Sequence, residues 1–246
     1  MHLTKIAGIP LRLHWSFLAL LAGFAAYALF RGGPEALLAT GVLSAGLFGS
    51  VVLHELGHAL AARRYGIGTA HITLYPFGGI AAIADQPEDP AEELVIALAG
   101  PAVNFALAAA FGLLWSVSGG FLLSALIGMN LVMGLFNLIP AFPMDGGRVL
   151  RALLARRMGF VPASLLAIRI GRVFAWGFLA AGLILPHMGL LLVSAFLHLA
   201  LSGEKQNILR VIWERQRTGR TDWRDPRPWG RTGQAAYRPR WTISTR

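Results

Sequence analysis

Apolar runs long enough to cross a lipid bilayer occupy most of the first 203 residues. A stretch of about 18 or more apolar residues is typical of a membrane-spanning helix, and only helices and closed barrels satisfy their backbone polar groups inside hydrocarbon. Hydrophobic residues make up 55% of the chain and charged residues only 14%, unlike the composition of soluble domains. The pattern therefore predicts an all-α polytopic membrane protein with about six transmembrane helices. The predicted spans are Leu11–Phe30, Glu35–Ala62, Glu93–Val117, Phe121–Ile139, Leu165–Leu185 and a last one that ends near Leu201.

The basic residues lie mostly on one side of these spans. The formal net charge is +10, and nearly all lysines and arginines fall after the second and fourth spans or near the two ends, with Arg31 the exception. Because cytoplasmic loops carry the excess of Lys and Arg, we expect a multi-pass protein of the cell membrane with both termini in the cytoplasm. The charge then needs no nucleic-acid partner. We expect a membrane-embedded core over residues 1–203, a basic surface helix at Arg148–Arg157, and a basic cytoplasmic tail over residues 204–246 that contacts anionic lipid.

One segment after the second span departs from the helical pattern. Between Gly66 and Ala84, small or polar residues alternate with apolar ones, and Pro76-Phe77-Gly78-Gly79 provides a turn. Alternation with a period of two indicates strands, so we expect a small membrane-embedded β-hairpin. Such backbone is tolerated at membrane depth only where it packs on protein or lines a wet cavity. An ordinary hairpin outside the membrane is the alternative.

The second span carries His54-Glu55-Leu56-Gly57-His58 near its C-terminal end. Histidines four residues apart lie on the same face of a helix, so both imidazoles can reach one metal ion. This is the H-E-x-x-H arrangement of zinc hydrolases, in which the glutamate acts as a general base. Ionisable residues inside a membrane segment are costly and are usually functional. The sequence therefore predicts one Zn²⁺ per chain; the alternative is a pair of histidines satisfied within a core.

A third ligand must come from elsewhere in the chain. There are no cysteines, so thiolate ligands are excluded. Asp145 follows two prolines and precedes two glycines, which force irregular backbone at the membrane edge. A buried carboxylate is costly unless a cation compensates it, so Asp145 is the best candidate, although Asp-Gly is also common in turns. Two histidines and one aspartate would leave a fourth position for water.

Two neutral amides, Asn104 and Asn137, also lie in apolar spans. Either amide can stabilise an oxyanion or hold the substrate backbone. Each can equally form a hydrogen bond with a neighbouring helix, and the sequence leaves the two interpretations open.

Over roughly residues 1–203, the chain resembles the core of the site-2 protease family, zinc metalloproteases that cut within membranes, without the PDZ or CBS domain of many relatives. The motifs that carry the resemblance are His54 to His58, Phe77-Gly78-Gly79, Ala99-Gly100-Pro101 with Asn104, and Asn137 to Gly147 containing Met144-Asp145-Gly146. It implies that the chain cleaves a transmembrane segment of another protein. The distribution of lysines and arginines places the predicted zinc site, and so the cut, near the cytoplasmic side of the bilayer.

The resemblance also implies roles for individual residues. His54, His58 and Asp145 would be zinc ligands, and Glu55 would be catalytic. A membrane-embedded strand, for which Phe77, Gly78 and Gly79 are the candidate residues, would pair with unwound substrate by strand addition.

Two other functions use the same residues. A metal transporter would need a continuous polar path across the bilayer, and the outer halves of the spans offer few polar residues. A non-catalytic membrane chaperone would not need Glu55. The sequence favours the intramembrane metalloendopeptidase, with a transmembrane protein and the lipid bilayer as partners, and it leaves the oligomeric state open.

Overall fold

The computed structural model describes residues 2–76, 78–83, 87 and 89–217. Within these residues the chain is mainly helical and carries one small sheet, as predicted. The elements in order are β1 (His2–Ile6), β2 (Ile9–Leu13), α1 (Trp15–Arg64), β3 (Thr69–Tyr75), β4 (Gly78–Ile83), α2 (Pro90–Ser118), α3 (Phe121–Asn137), α4 (Asp145–Met158), α5 (Phe160–Ile184) and α6 (Met188–Arg217).

The long helix α1 consists of two segments that run in opposite directions. Gly33 interrupts it with φ 68° and ψ −160°, and Pro34 follows. The rings of Phe17 and Phe48 are 4.4 Å apart, whereas a straight helix would separate them by about 46 Å. The chain therefore reverses at Gly33, and segments 15–32 and 34–64 correspond to the first two predicted spans.

Among the described residues, four helices are long and apolar enough to cross a membrane: α1, α2, α5 and residues 188–210 of α6. Only 17–33% of the residues in their apolar windows are buried inside the protein. Most of their apolar side chains therefore face outward, as they would toward lipid. The chain is a multi-pass membrane protein.

The remaining helices bear on two further expectations. Helix α3 is a shorter apolar helix. Helix α6 continues beyond the expected core boundary at residue 203 to Arg217, and residues 218–246 of the expected tail lie outside the described residues. The division into core and tail stays a prediction.

The sheet has the order β1-β2-β3-β4. β1 and β2 form an N-terminal hairpin that the sequence analysis missed, with Ala7 and Gly8 at positive φ in its turn. β2 pairs with β3 in parallel, and β3 pairs with β4 in antiparallel register; the expected location of the β3–β4 pair inside the membrane stays a prediction. The sheet packs on the second half of α1 through Val52, Leu56 and Ile72, and this contact brings β4 beside the H-E-x-x-H segment.

The basic helix expected at the membrane surface is α4. One of its arginines, Arg151, is buried inside the protein, contrary to that expectation. Arg151 is only 6% exposed. Its guanidinium donates to Glu93 on α2 and to Glu204 on α6, the latter at 2.9 Å, and lies over the rings of Phe142 and Phe160. Burial alone would lower the pKa of Arg151, but the two carboxylates raise it above its ordinary value. A charged arginine thus joins three helices inside the protein.

Candidate metal centre

Two histidines on α1 and one aspartate from α4 meet in the interior. Nε2 of His54 and Nε2 of His58 are 3.1 Å apart, and each lies 3.2 Å from Oδ2 of Asp145. All three side chains are buried. The structure therefore brings Asp145 into contact with two histidines although it lies 91 positions after His54 in the sequence.

The connection between α3 and α4 folds tightly enough to turn Asp145 toward α1. A Cβ on Gly146 would lie 2.3 Å from the carbonyl oxygens of Leu138 and Ile139, and one on Gly147 would lie 2.6 Å from the backbone nitrogen of Phe142. Real Cβ atoms do not approach backbone so closely. The two glycines therefore allow the connection to pack against the first turn of α4, where Asp145 begins the helix.

Glycines on α1 and α2 provide the room in which the imidazoles meet. A Cβ on Gly57 would lie 2.8 Å from the carbonyl oxygen of Ala99, so the two helices are in close contact there. A Cβ on Gly100 would lie 2.2 Å from Nε2 of His58 and 2.8 Å from Cε1 of His54. The absent side chain of Gly100 thus leaves the space around both ring nitrogens.

The donor set fits a divalent metal ion. The ligand atoms of His54, His58 and Asp145 all lie within 4.8 Å of one another. Oδ2 of Asp145 is buried and has no hydrogen-bond partner among the described residues, although both Nε2 atoms are close to it. Imidazole and carboxylate are ligands that zinc accepts in tetrahedral sites, and a cation would satisfy the orphaned oxygen.

The other ring nitrogens form hydrogen bonds with α2. Nδ1 of His54 donates to Oδ1 of Asn104 at 2.6 Å, and Nδ1 of His58 donates to the carbonyl oxygen of Ile96 at 2.7 Å. Such partners fix the orientation of metal-binding histidines and leave Nε2 for the ion.

Glu55 lies next to His54 and is half-buried. Its side chain packs against β4, where a Cβ on Gly79 would lie 2.6 Å from Cγ of Glu55. A carboxylate thus lies between the cluster and the first residues of β4.

The remaining predicted site residues have different environments. Asn104 is fully buried, and its side-chain nitrogen donates to Asn130 on the neighbouring helix α3. A role as oxyanion or substrate donor stays a prediction. Asn137 ends α3 and is half-buried at the start of the connection to Asp145. Gly78 and Gly79 begin β4, whereas Phe77 lies outside the described residues.

Sequence reasoning missed two residues near the site, Ser50 and Asn130. Both are buried in apolar helices, and Asn130 donates to Ser50. Ser50 lies one turn before His54 on the same helix face, a position that could have drawn attention to it.

The sequence model of peptidase family M50 matches residues 42–125 and 117–178. These ranges include both halves of the cluster and more than half of the chain. The chain belongs to peptidase family M50. The resemblance to the site-2 proteases is therefore confirmed.

Individual relatives of this M50 chain agree with the assignment. "Zinc metalloprotease MJ0392" of Methanocaldococcus jannaschii is 38% identical over 209 residues, which cover 83% of this chain and 60% of that protein. "Putative zinc metalloprotease Rip3" of Mycobacterium tuberculosis is 40% identical over 200 residues, or 74% of this chain and 50% of that protein. The chain thus spans between half and three-fifths of the length of these two relatives. Their names and the donor set both indicate zinc as the metal.

A solved structure shares the fold of this M50 chain. The site-2 protease from Methanocaldococcus jannaschii is similar with a TM-score of 0.64 and 38% identity. The similarity covers 83% of this chain and 94% of that one.

Proposed function

We propose that this chain is a zinc-dependent metalloendopeptidase that hydrolyses a peptide bond of a transmembrane protein substrate near the cytoplasmic side of the bilayer. The observation that supports this most directly is the meeting of His54, His58 and Asp145 beside Glu55. Family membership supports the same reaction class. In this proposal the first three residues hold one zinc ion and Glu55 is the catalytic residue.

The chemistry divides between the metal and the protein. Zinc, when bound, acts as a Lewis acid that polarises a carbonyl and makes water nucleophilic near neutral pH. Glu55 accepts the proton of the attacking water and delivers it to the leaving amine. Asn104 and the Ile96 carbonyl hold the two imidazoles in place during the reaction.

Strand β4 is the element that we propose to receive the substrate. It pairs with β3 alone among the described strands, so its other edge is available for strand addition. Neighbouring strands lie about 4.8 Å apart, and Gly79 of β4 touches Glu55. A substrate segment added along Gly78 and Gly79, and along the predicted Phe77, would therefore place an extended peptide bond close to the catalytic carboxylate.

The membrane arrangement completes the proposal. The two segments of α1, with α2, α3, α5 and α6, would form six spans, and the sheet beside Glu55 would lie at membrane depth. The distribution of lysines and arginines would place both termini in the cytoplasm. The protein itself would lie in the cell membrane. Lipid and a transmembrane protein are the partners, and nucleic acid is not.

The substitution Glu55→Gln tests the reaction. It keeps the size of the side chain but removes the general base, so we expect zinc content to remain at one per chain while cleavage falls by about 10²- to 10⁴-fold. The measurement compares membrane proteomes of cells that express the wild type or the variant, with metal analysis of both purified proteins. Glu35→Gln, an exposed change just after the Gly33 break in α1, is the matched control. Identical fragment patterns from wild type and Glu55→Gln at equal zinc content would refute the proteolytic assignment.

A further inference from the structure

A series of hydrogen-bonded side chains runs through the interior from α1 to α3, α2 and back to α1. It joins Ser50, Asn130, Asn104 and His54, and none of these residues is more than 5% exposed. The distances are 3.0 Å from Asn130 Nδ2 to Ser50 Oγ, 3.0 Å from Asn104 Nδ2 to Asn130 Oδ1, and 2.6 Å between Asn104 Oδ1 and His54 Nδ1. The proposed metal site does not use the first two residues directly.

Two backbone carbonyls fix the direction of every bond in this series. Ser50 donates its only hydroxyl proton to the carbonyl oxygen of Gly46 at 2.9 Å, so its oxygen can only accept from Asn130. The Asn130 amide nitrogen also donates to the carbonyl oxygen of Leu126 at 2.9 Å. Because carbonyl oxygens accept and never donate, Asn130 must turn its NH₂ group toward both and its oxygen toward Asn104.

The orientation of Asn130 determines the orientation of Asn104, which in turn determines which nitrogen of His54 is protonated. Asn104 faces the oxygen of Asn130 and must present its NH₂ group there, which leaves its own oxygen for His54. An amide oxygen accepts only from a protonated nitrogen, so Nδ1 of His54 carries the proton. Nε2 keeps its lone pair, and Nε2 is the atom that lies near His58 and Asp145.

We propose that Asn130 is a positioning residue that, through the orientation of Asn104, holds His54 in the tautomer with a free Nε2. This inference rests on the proposed role of His54 as a zinc ligand. His58 needs no such series because the backbone carbonyl of Ile96 sets its tautomer directly. The side-chain amide of Asn104 can rotate by half a turn, and without Asn130 it would be free to offer its NH₂ group to Nδ1. The proton would then move to Nε2, toward the metal position.

Zinc affinity of the full-length protein in detergent measures this role. Asn130→Leu keeps a side chain of similar size but removes both the acceptor for Asn104 and the donors to Ser50 and Leu126. We expect zinc affinity, measured by competition with a chelator, to fall by about 10- to 100-fold, as for other partners of metal-binding histidines. Val132→Leu, a lipid-facing change on the same helix that is 66% exposed in the wild type, should leave the affinity unchanged.

A second substitution separates tautomer control from simple packing. In Asn104→Asp a carboxylate replaces the amide, and both of its oxygens accept, so rotation no longer matters. Combined with Asn130→Leu, it should recover at least half of the lost affinity on a logarithmic scale. A purely structural role of Asn130 predicts no recovery.

The tautomer itself can be observed without any variant at residue 130. In ¹⁵N-histidine spectra of the metal-free wild type at alkaline pH, assigned by comparison with His54→Gln, we expect the proton of His54 on Nδ1. A proton on Nε2, wild-type zinc affinity of a folded Asn130→Leu protein, or no recovery in the double variant would each overturn the proposal. None of these outcomes would contradict the proposed proteolytic function. A wild-type protein that binds no zinc would contradict that function itself.

Discussion

At the scale of single residues, the centre depends on a side chain that is absent. Gly100 lies on α2 directly opposite the two imidazoles, and a methyl group there would approach Nε2 of His58 to 2.2 Å. Both rings are already held by hydrogen bonds through Nδ1, so they cannot move aside without losing those partners. Glycine at this position is therefore a requirement of the site and not only of helix packing.

The substitution Gly100→Ala tests this requirement. We expect at least a tenfold loss of zinc affinity, because displaced ligands bind metal poorly, while the protein remains folded. Gly112→Ala on the same helix is the control, since its Cβ would have no atom within 4 Å; there alanine should be neutral or stabilise the helix by up to about 1 kcal/mol. Equal zinc affinities for both variants, measured by chelator competition, would show that the space at Gly100 is not needed.

The sequence predicted the residues whose chemistry is specific. It did not predict residues whose role depends on which neighbouring helix their side chain faces. The spacing of His54 and His58 follows from helix geometry, and Asp145 follows from the need for a third donor without cysteine; the structure brings all three together, and their roles as ligands stay predictions. Whether Asn104 faces a cavity or a helix depends on where α3 lies, which no local pattern reveals. The contribution of Asn130 was hidden for the same reason, because its partners are 26 and 80 positions away.

At the scale of elements, local signals predicted breaks well and long-range pairing poorly. The predicted spans Leu11–Phe30 and Glu35–Ala62 leave Gly32-Gly33-Pro34 between them, and the structure shows the reversal there. The N-terminal hairpin was missed because its strands have five residues each, and β2 finds its parallel partner only after the whole of α1. Such pairing across a long connection leaves no mark in a short sequence window.

Helix α4 shows how a charge pattern can mislead. Its arginines suggested a surface helix, but Arg151 turns inward and pairs with Glu93 and Glu204. Because α4 begins with Asp145, the arginine also fixes the helix that carries this carboxylate relative to α2. A single ion-pair group thus connects the position of Asp145 to the helix that contains Gly100 and Asn104.

Replacing Arg151 by Met should be strongly destabilising. It leaves Glu93, which is 5% exposed, without its main partner, and breaking a buried pair costs about 3–5 kcal/mol. We expect a lower melting temperature and weaker zinc binding, whereas Arg156→Met, an exposed change on the same helix, should alter neither. The double variant Arg151→Met with Glu93→Met should recover much of the stability, because an apolar pair of similar volume often replaces a buried ion pair without loss. A single variant as stable as the wild type would contradict this account.

At the scale of the whole molecule, the charges predict an orientation that the natural absence of cysteine makes easy to measure. Single cysteines at residues 31 and 203 would lie at opposite ends of the proposed bundle. In intact cells, a membrane-impermeant maleimide should label Arg31→Cys but not Gly203→Cys. Gly203→Cys should be labelled only after the membrane is permeabilised. Gly112→Cys, within a proposed span, should resist labelling throughout. Labelling of residue 203 from outside intact cells would reverse the proposed topology.

The four-stranded sheet has a practical consequence for handling this protein. Because β2 is the parallel neighbour of β3, residues 2–13 belong to the same hydrogen-bonded sheet as β4, the strand beside Glu55. Deleting them would reduce the sheet to β3 and β4, and this hairpin would then depend on its packing against α1 for stability. Affinity tags or fluorescent fusions are therefore better attached after α6 than before β1. Before β1 they could disturb the sheet whose strand β4 is proposed to pair with the substrate.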